Sequence, residues 1–151
     1  MQQELIHRLQ VPIDQLPQQF HQLSAEVLQY KPRPDKWSKQ EILGHLIDSA
    51  LYNLMRFTRL RHQESPYQLE AYPQDNLVIA NAYQQQDIGH LLALWQQLNR
   101  QILQVWRSYT PAELEKIVVN HDGQQGSLTW WMDDYVQHLE HHRTQIFGEE
   151  R

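Results

Sequence analysis

Cysteine is absent from this chain of 151 residues, which excludes disulfides, thiolate metal ligands and a cysteine nucleophile. A tight transition-metal site would therefore use histidine and carboxylate ligands. Glycine is scarce, with five residues, and long segments lack proline, which favours helices over turn-rich β structure. No apolar run approaches the roughly 20 residues that a membrane-spanning helix needs.

The charge is mildly acidic, because 13 basic residues face 18 acidic ones and give a net charge of −5. This sign argues against a general affinity for nucleic acid. The N-terminal segment lacks a basic stretch followed by an apolar run, so no signal peptide is expected and we predict a cytoplasmic protein. With 40% hydrophobic residues and no evident linker or repeat, residues 1–151 are predicted to form a single domain.

Apolar residues at helical spacing predict an all-α protein with four main helices, a four-helix bundle. Ser38 with Glu41 forms a capping box that begins the second helix, and Thr110 with Glu113 forms another. No strand is expected, and a sheet of three or more strands would count against the bundle. The main helices are predicted over about 16–30, 38–61, 87–108 and 127–147.

A long connection, residues 62–86, separates the second and third predicted helices. Pro66 and Pro73 interrupt any regular pattern there. Connections of this length in compact domains are often functional, so the segment is interpreted as a crossover or a lid, or else as an irregular surface loop.

The last predicted helix carries a cluster of histidines. With rotation of about 100° per residue and His138 at 0°, His142 falls at about 40°. Tyr135 and Leu139 fall at about 60° and 100°, so His142 lies within the apolar face and His138 at its margin. His141 points about 100° away from His142. Imidazoles one turn apart can share a metal ion, although this spacing also occurs by chance. The histidines expected at the surface are His7, His21, His62, His90 and His121.

His45 is the candidate for a third ligand, because it borders the apolar face of the second helix. Gly44 beside it would allow another helix to approach closely. Alone, a histidine at this position is more often a hydrogen-bonded residue at the core edge than a metal ligand. Three histidines leave a tetrahedral ion one open position, the pattern of a catalytic rather than a structural site, and binding would weaken below about pH 6.5. The candidate hydrogen-bond acceptors for the remaining ring N–H groups are Glu41, Asp48, Asp133 and Asp134.

Two segments carry a family resemblance. Residues 36–49, KWSKQEILGHLIDS, and residues 134–146, DYVQHLEHHRTQI, resemble the second and last helices of the DinB/YfiT-like superfamily. The resemblance implies a four-helix bundle with a long connection after the second helix. It also implies that His45, His138 and His142 bind zinc or nickel, and that the protein forms a homodimer. Members are described as metal-dependent hydrolases, and relatives include transferases and isomerases that use low-molecular-weight thiols.

The leading interpretation of function is therefore an enzyme whose metal activates water or a thiol for an unidentified small-molecule substrate. The metal would lower the pKa of bound water toward ~7 or polarise an incoming group. Because the chain has no cysteine, any thiol would come from a small-molecule cosubstrate. The alternatives are a non-catalytic module that binds metal or ligand, and a structural or stress-associated interaction protein with incidental histidines.

Overall fold

The computed structural model describes residues 1–148 and shows a bundle of four long helices joined by short elements. The predicted all-α four-helix fold is confirmed. The long helices are α1 (Gln2–His21), α3 (Lys39–Arg59), α5 (Ile88–Arg107) and α7 (Leu128–Phe147). The short elements are α2 (Ala25–Gln29), β1 (Tyr67–Gln68), α4 (Gln74–Ala80), α6 (Pro111–Leu114), β2 (Ile117–Val119) and β3 (Gln125–Ser127).

The prediction for the first helix was wrong. Helix α1 begins at Gln2 and contains Pro12 and Pro17, while the predicted segment 16–30 is divided between the end of α1 and α2, which begins after the N-cap Ser24. An interior proline costs a helix about 3 kcal/mol, and burial of one complete apolar face offsets that cost here. The buried apolar residues of α1 are Leu5, Ile6, Leu9, Ile13, Leu16 and Phe20.

Two other helices begin at capping boxes, as predicted. Ser38 Oγ accepts a hydrogen bond from the backbone N–H of Glu41 at 3.1 Å, and Glu41 Oε2 accepts one from the backbone N–H of Ser38 at 2.9 Å. Thr110 and Glu113 form the second capping box, at the start of α6. Asp87 and Ser127 are the N-caps of α5 and α7. These side chains satisfy backbone donors that lack partners within the helix.

The expectation that the chain has no strand was wrong. Strand β1 pairs in parallel with β2, and β2 pairs antiparallel with β3. The strands have two or three residues each, too few for an alternating pattern to be visible in the sequence. They belong to the connections between long helices, so this three-stranded sheet coexists with the bundle, and treating such a sheet as evidence against the bundle was mistaken.

The connection after α3 packs closely on that helix. The ring of Tyr83 fills the space beside Gly44, where a Cβ atom would overlap it. Gly44 therefore admits an aromatic ring, rather than the second helix that the sequence suggested. Tyr83 OH and Asn81 Nδ2 both donate to Asp48 Oδ1, at 2.6 and 3.1 Å. These contacts attach the end of the connection to the helix that carries His45.

The largest buried rings lie where α3 and α5 meet. Trp95 and Trp106 of α5 are almost fully buried, and the Trp106 ring meets Phe57 of α3 edge to face at 5.3 Å between centroids. In the described residues, no helix is both long enough and apolar enough to cross a membrane.

Candidate metal centre

The structure brings three histidines from two helices together. His45 projects from α3, and His138 and His142 lie one turn apart on α7. The Nε2 atom of His138 lies 3.0 Å from that of His45 and 3.2 Å from that of His142. One ring nitrogen from each residue lies within 4.8 Å of the others. His141 is exposed, as its helical phase predicted.

Two of the three separations fit one tetrahedral ion. Two imidazole nitrogens that each bind zinc at about 2.0–2.1 Å stand about 3.3 Å apart at a tetrahedral angle. The two closest observed separations, 3.0 and 3.2 Å, differ from that value by a few tenths of an ångström. Lone pairs that face one another at such distances repel unless a proton or a cation lies between them. The donor set therefore fits a divalent ion bound through Nε2.

Burial keeps these imidazoles neutral. Desolvation, with smaller effects from the neighbouring histidines, lowers the pKa of His45 to about 3 and that of His138 to about 4. Burial also lowers the pKa of His142, although its hydrogen bond to Gln145 opposes the shift. Neutral imidazole is the form that binds metal, so the protein holds all three rings ready for coordination at neutral pH.

Two neighbouring residues orient the rings. His142 Nδ1 lies 2.8 Å from Gln145 Oε1, and because this amide oxygen only accepts, Nδ1 carries the hydrogen and the Nε2 lone pair faces the cluster. Trp37 covers His45, with 4.7 Å between ring centroids and 31° between ring planes. His45 Nδ1 is buried and has no hydrogen-bond partner in the described part of the chain.

None of the four carboxylates proposed as hydrogen-bond acceptors for the histidine rings accepts from them in the described residues. Glu41 caps α3, and Asp48 accepts from the connection. Asp133 forms an ion pair with Arg8 at 2.7 Å. Asp134 lines a cavity beside His138, where burial and the nearby Asp133 raise the pKa of its carboxyl. The residue that contacts the Nδ1 atom of His142 is thus an amide, Gln145, which the sequence did not predict.

A cavity of about 190 Å³ reaches the cluster from one side, between α3 and α7. His138 lines it together with the polar residues Ser49 and Asn53, and His121 reaches it although it is otherwise exposed, as predicted. The cavity's cationic and aromatic walls were not predicted from the sequence. A signal was present, because Arg56 follows His45 by eleven residues, about 20° from it around α3. These walls are Arg56, Tyr72 and Trp131.

Comparison with known proteins agrees with this architecture. The family model of the DinB superfamily matches residues 9–146. The chain is similar to YfiT from Bacillus subtilis, a probable metal-dependent hydrolase with an unusual four-helix bundle topology. The TM-score is 0.86 at 22% identity, over 96% of this chain and 83% of that one.

A second similar structure is the mycothiol-dependent maleylpyruvate isomerase. Its TM-score is 0.75 at 11% identity, over 97% of this chain and 61% of that one, so the present chain spans less than two thirds of the isomerase. At these identities the likeness shows the fold alone. No curated protein matches the chain.

Proposed function

The chain belongs to the DinB superfamily, and we propose that it is a metal-dependent enzyme that holds zinc or nickel through the Nε2 atoms of His45, His138 and His142. The observation that carries this proposal is the convergence of three neutral imidazoles beside a cavity that one of them lines. Three histidines leave the fourth position of a tetrahedral ion open, as in catalytic rather than structural sites. The same donor atoms suit nickel.

Bound at this site, the ion supplies a Lewis acid that lowers the pKa of water or a thiol and polarises a carbonyl group. The chain's own residues prepare the site for that chemistry. Neutral imidazoles leave the charge of the ion uncompensated, Gln145 fixes the ring of His142, and Trp37 excludes water from His45. We assign proton transfer to Asp134, the one carboxylate among the described residues of the cavity wall. Its raised pKa makes it a better proton acceptor than a solvated aspartate.

Both water and a thiol are retained as the activated group. The described activity of YfiT as a probable metal-dependent hydrolase favours water. The mycothiol dependence of the isomerase favours a thiol, which here would be a small-molecule cosubstrate because the chain has no cysteine. A cytoplasmic location, a homodimer and a single domain over residues 1–151 stay predictions.

Turnover separates the candidates. Untagged protein is stripped with a chelator, reloaded with zinc or nickel, and assayed with 4-nitrophenyl acetate and with 1-chloro-2,4-dinitrobenzene plus L-cysteine. We expect one reaction to require the metal, to disappear in His138→Ala and to persist in His141→Ala. Ester cleavage without thiol identifies a hydrolase, and conjugation that requires thiol identifies a transferase.

Two other results would contradict the proposal. Bound metal without turnover of any substrate class would favour a non-catalytic binding module. Untagged protein that binds neither metal would favour an interaction protein with incidental histidines.

A further inference from the structure

The cavity beside the histidines contains an arginine without an acidic partner. Arg56 is half-buried on α3, and its guanidinium lies 5.5 Å from the ring centroid of Tyr72 and 5.8 Å from that of Trp131. One of its five N–H donors hydrogen-bonds to the Glu70 carbonyl oxygen. Within residues 1–148, no carboxylate lies at ion-pair distance from this guanidinium. Most of its donors are therefore left for a ligand.

Two other partly buried arginines show that this chain normally pairs such charges. Arg8 contacts Asp133, and Arg61 contacts Glu113, both at 2.7 Å. Burial lowers the pKa of Arg56, but a guanidinium stays charged at neutral pH. The Glu70 carboxylate acts on Arg56 through a longer-range electrostatic interaction and forms no ion pair with it. A desolvated charge without a paired counter-charge is costly, so an anion from outside the chain is the missing partner.

Arg56 and one member of the histidine cluster, His138, face the same cavity. His45 and Arg56 are separated by eleven residues of α3, about 16 Å along the helix axis, and by about 20° around it. His138 and Arg56 both line the cavity. Ser49 lines it as well, and lies on α3 between His45 and Arg56. A small elongated molecule could thus reach the guanidinium with one end and the histidines with the other.

We propose that Arg56 binds the carboxylate of a small, elongated organic acid whose reactive end lies at His45, His138 and His142. This inference rests on the proposed function and names the substrate class of that site. A planar guanidinium matches a carboxylate with two parallel hydrogen bonds. A cavity of about 190 Å³ lies below the range of drug-sized pockets and restricts the acid to a small one.

The cavity walls fix the direction in which the acid binds. Trp131 Nε1 donates to Asn53 Oδ1 at 3.0 Å, and Asn53 Nδ2 donates to the Ser49 carbonyl oxygen at 2.9 Å, so this wall is rigid and its groups are already paired. The Tyr72 ring stacks on Tyr52 at 4.4 Å between centroids, and it lines the cavity together with Trp131, so this part of the wall is aromatic. Asp134 stands one turn from His138 on α7, and its negative charge repels a carboxylate from the histidine end.

Binding of a defined acid tests the proposal. Zinc-loaded protein is titrated with 3-phenylpropanoate and with its neutral isostere 3-phenylpropanamide, followed by NMR. We expect the acid to bind at least tenfold more tightly than the amide. Arg56→Gln should remove that preference by weakening acid binding about tenfold or more, and Arg56→Lys should keep part of it. The control Arg59→Gln, at an exposed arginine of the same helix, should leave it unchanged.

Zinc affinity is measured in the same samples, so that a failure of the proposed metal site can be distinguished from a failure of the proposed role of Arg56. Arg56→Gln should bind zinc as the wild type does. Equal affinity for the acid and the amide would overturn the role of Arg56. A preference for the acid that survives Arg56→Gln but disappears when zinc is removed would overturn it as well. Failure of the wild type to bind zinc would instead overturn the metal site. A preference for the acid in metal-free protein, lost in Arg56→Gln, would then still support the role of Arg56.

Discussion

Helices α3 and α5 have almost the same length and pack against each other, yet they bury different chemistry. The only buried polar residue of α5 is Asn99. On α3 half of the buried face is polar, which is expensive unless every group has a partner. This difference identifies α5 as a helix built for stability and α3 as the helix that carries the site. The buried polar residues of α3 are Gln40, Glu41, His45, Asp48, Ser49 and Asn53.

Hydrogen bonding sharpens the contrast. Asn99 uses both ends of its amide, because its oxygen accepts from Tyr135 OH at 2.7 Å and its nitrogen donates to the Trp95 carbonyl oxygen at 2.9 Å. On α3, His45 Nδ1 and Asp48 Oδ2 are buried without partners in the described residues, whereas on α5 one such atom, Trp106 Nε1, lacks a partner. Unsatisfied groups of this kind lower stability and are concentrated at functional sites.

The largest expected effect is on α5. Trp106→Ala deletes a fully buried indole and should lower the free energy of unfolding by about 3–5 kcal/mol. Urea unfolding measures the change, and Gln97→Ala, on the exposed side of the same helix, should change it by less than about 0.5 kcal/mol. A loss below about 1 kcal/mol for Trp106→Ala would show that α5 does not carry the core.

The second-largest effect is expected on acidification, which should lower the free energy of unfolding through the buried histidines of α3 and α7. The pKa values of about 3 for His45 and about 4 for His138 lie below the unfolded value near 6.5, so the unfolded chain binds protons first as the pH falls. Stability contributed by the neutral rings is present above about pH 6.5 and is lost as the pH falls toward the folded values. Metal-free protein should lose about 2 kcal/mol between pH 7 and 5.5.

The matched variant for this experiment is His45→Leu with His138→Gln, which removes both groups. Its unfolding free energy should depend less steeply on pH than that of the wild type, and equal slopes would contradict the assignment. The weakening of metal binding that the sequence placed below about pH 6.5 is expected at a lower pH, because the folded-state pKa values place direct protonation of these two rings near pH 3 to 4.

The helix caps test whether the two helices differ only in their buried faces. Ser38→Ala on α3 and Asp87→Ala on α5 each remove a side chain that accepts from a backbone N–H of the first turn. Each should cost about 0.5–2 kcal/mol, measured as a fall in thermal midpoint. If Ser38→Ala leaves the midpoint unchanged, the start of α3 does not depend on its capping box.

The smallest effect on stability is expected at the site itself. His45→Leu replaces a buried ring that lacks one hydrogen-bond partner with an apolar side chain. The unfolding free energy of the metal-free protein should stay within about 1 kcal/mol of the wild type or rise. A loss of several kcal/mol would mean that His45 stabilises the fold in its own right.

The sequence predicted those parts of the fold that depend on local chemistry. Three long helices begin where Ser38, Asp87 and Ser127 provide caps, within a residue or two of the predicted starts. Helix α1 was misplaced because proline rules are local, whereas packing of its apolar face decides its length. The pairing of β1 with β2 joins residues about fifty positions apart, and no local pattern encodes such a contact.

For the candidate site, helical phase was sufficient to bring His138 and His142 to one face and to turn His141 away. The supporting residues could not be predicted, because their roles depend on how helices and connections meet. Gln145 lies one turn beyond His142 but has no distinctive residue type, and Trp37 acts through a contact that only the folded chain makes. The helical phase of Arg56 places it on the same side of α3 as His45, but its role is recognisable only when the cavity and the lack of an ion-paired carboxylate are seen together.

The metal site is tested most directly by zinc titration of four single-histidine variants in an isothermal calorimeter. His45→Ala, His138→Ala and His142→Ala should each weaken binding by about 100-fold or more, because each removes one of three protein ligands. His141→Ala should bind zinc as the wild type does, because its exposed ring contacts His142 but lies outside the cluster of three histidines. Loss of binding in His141→Ala but not in His142→Ala, or wild-type binding in all four variants, would contradict the proposed site.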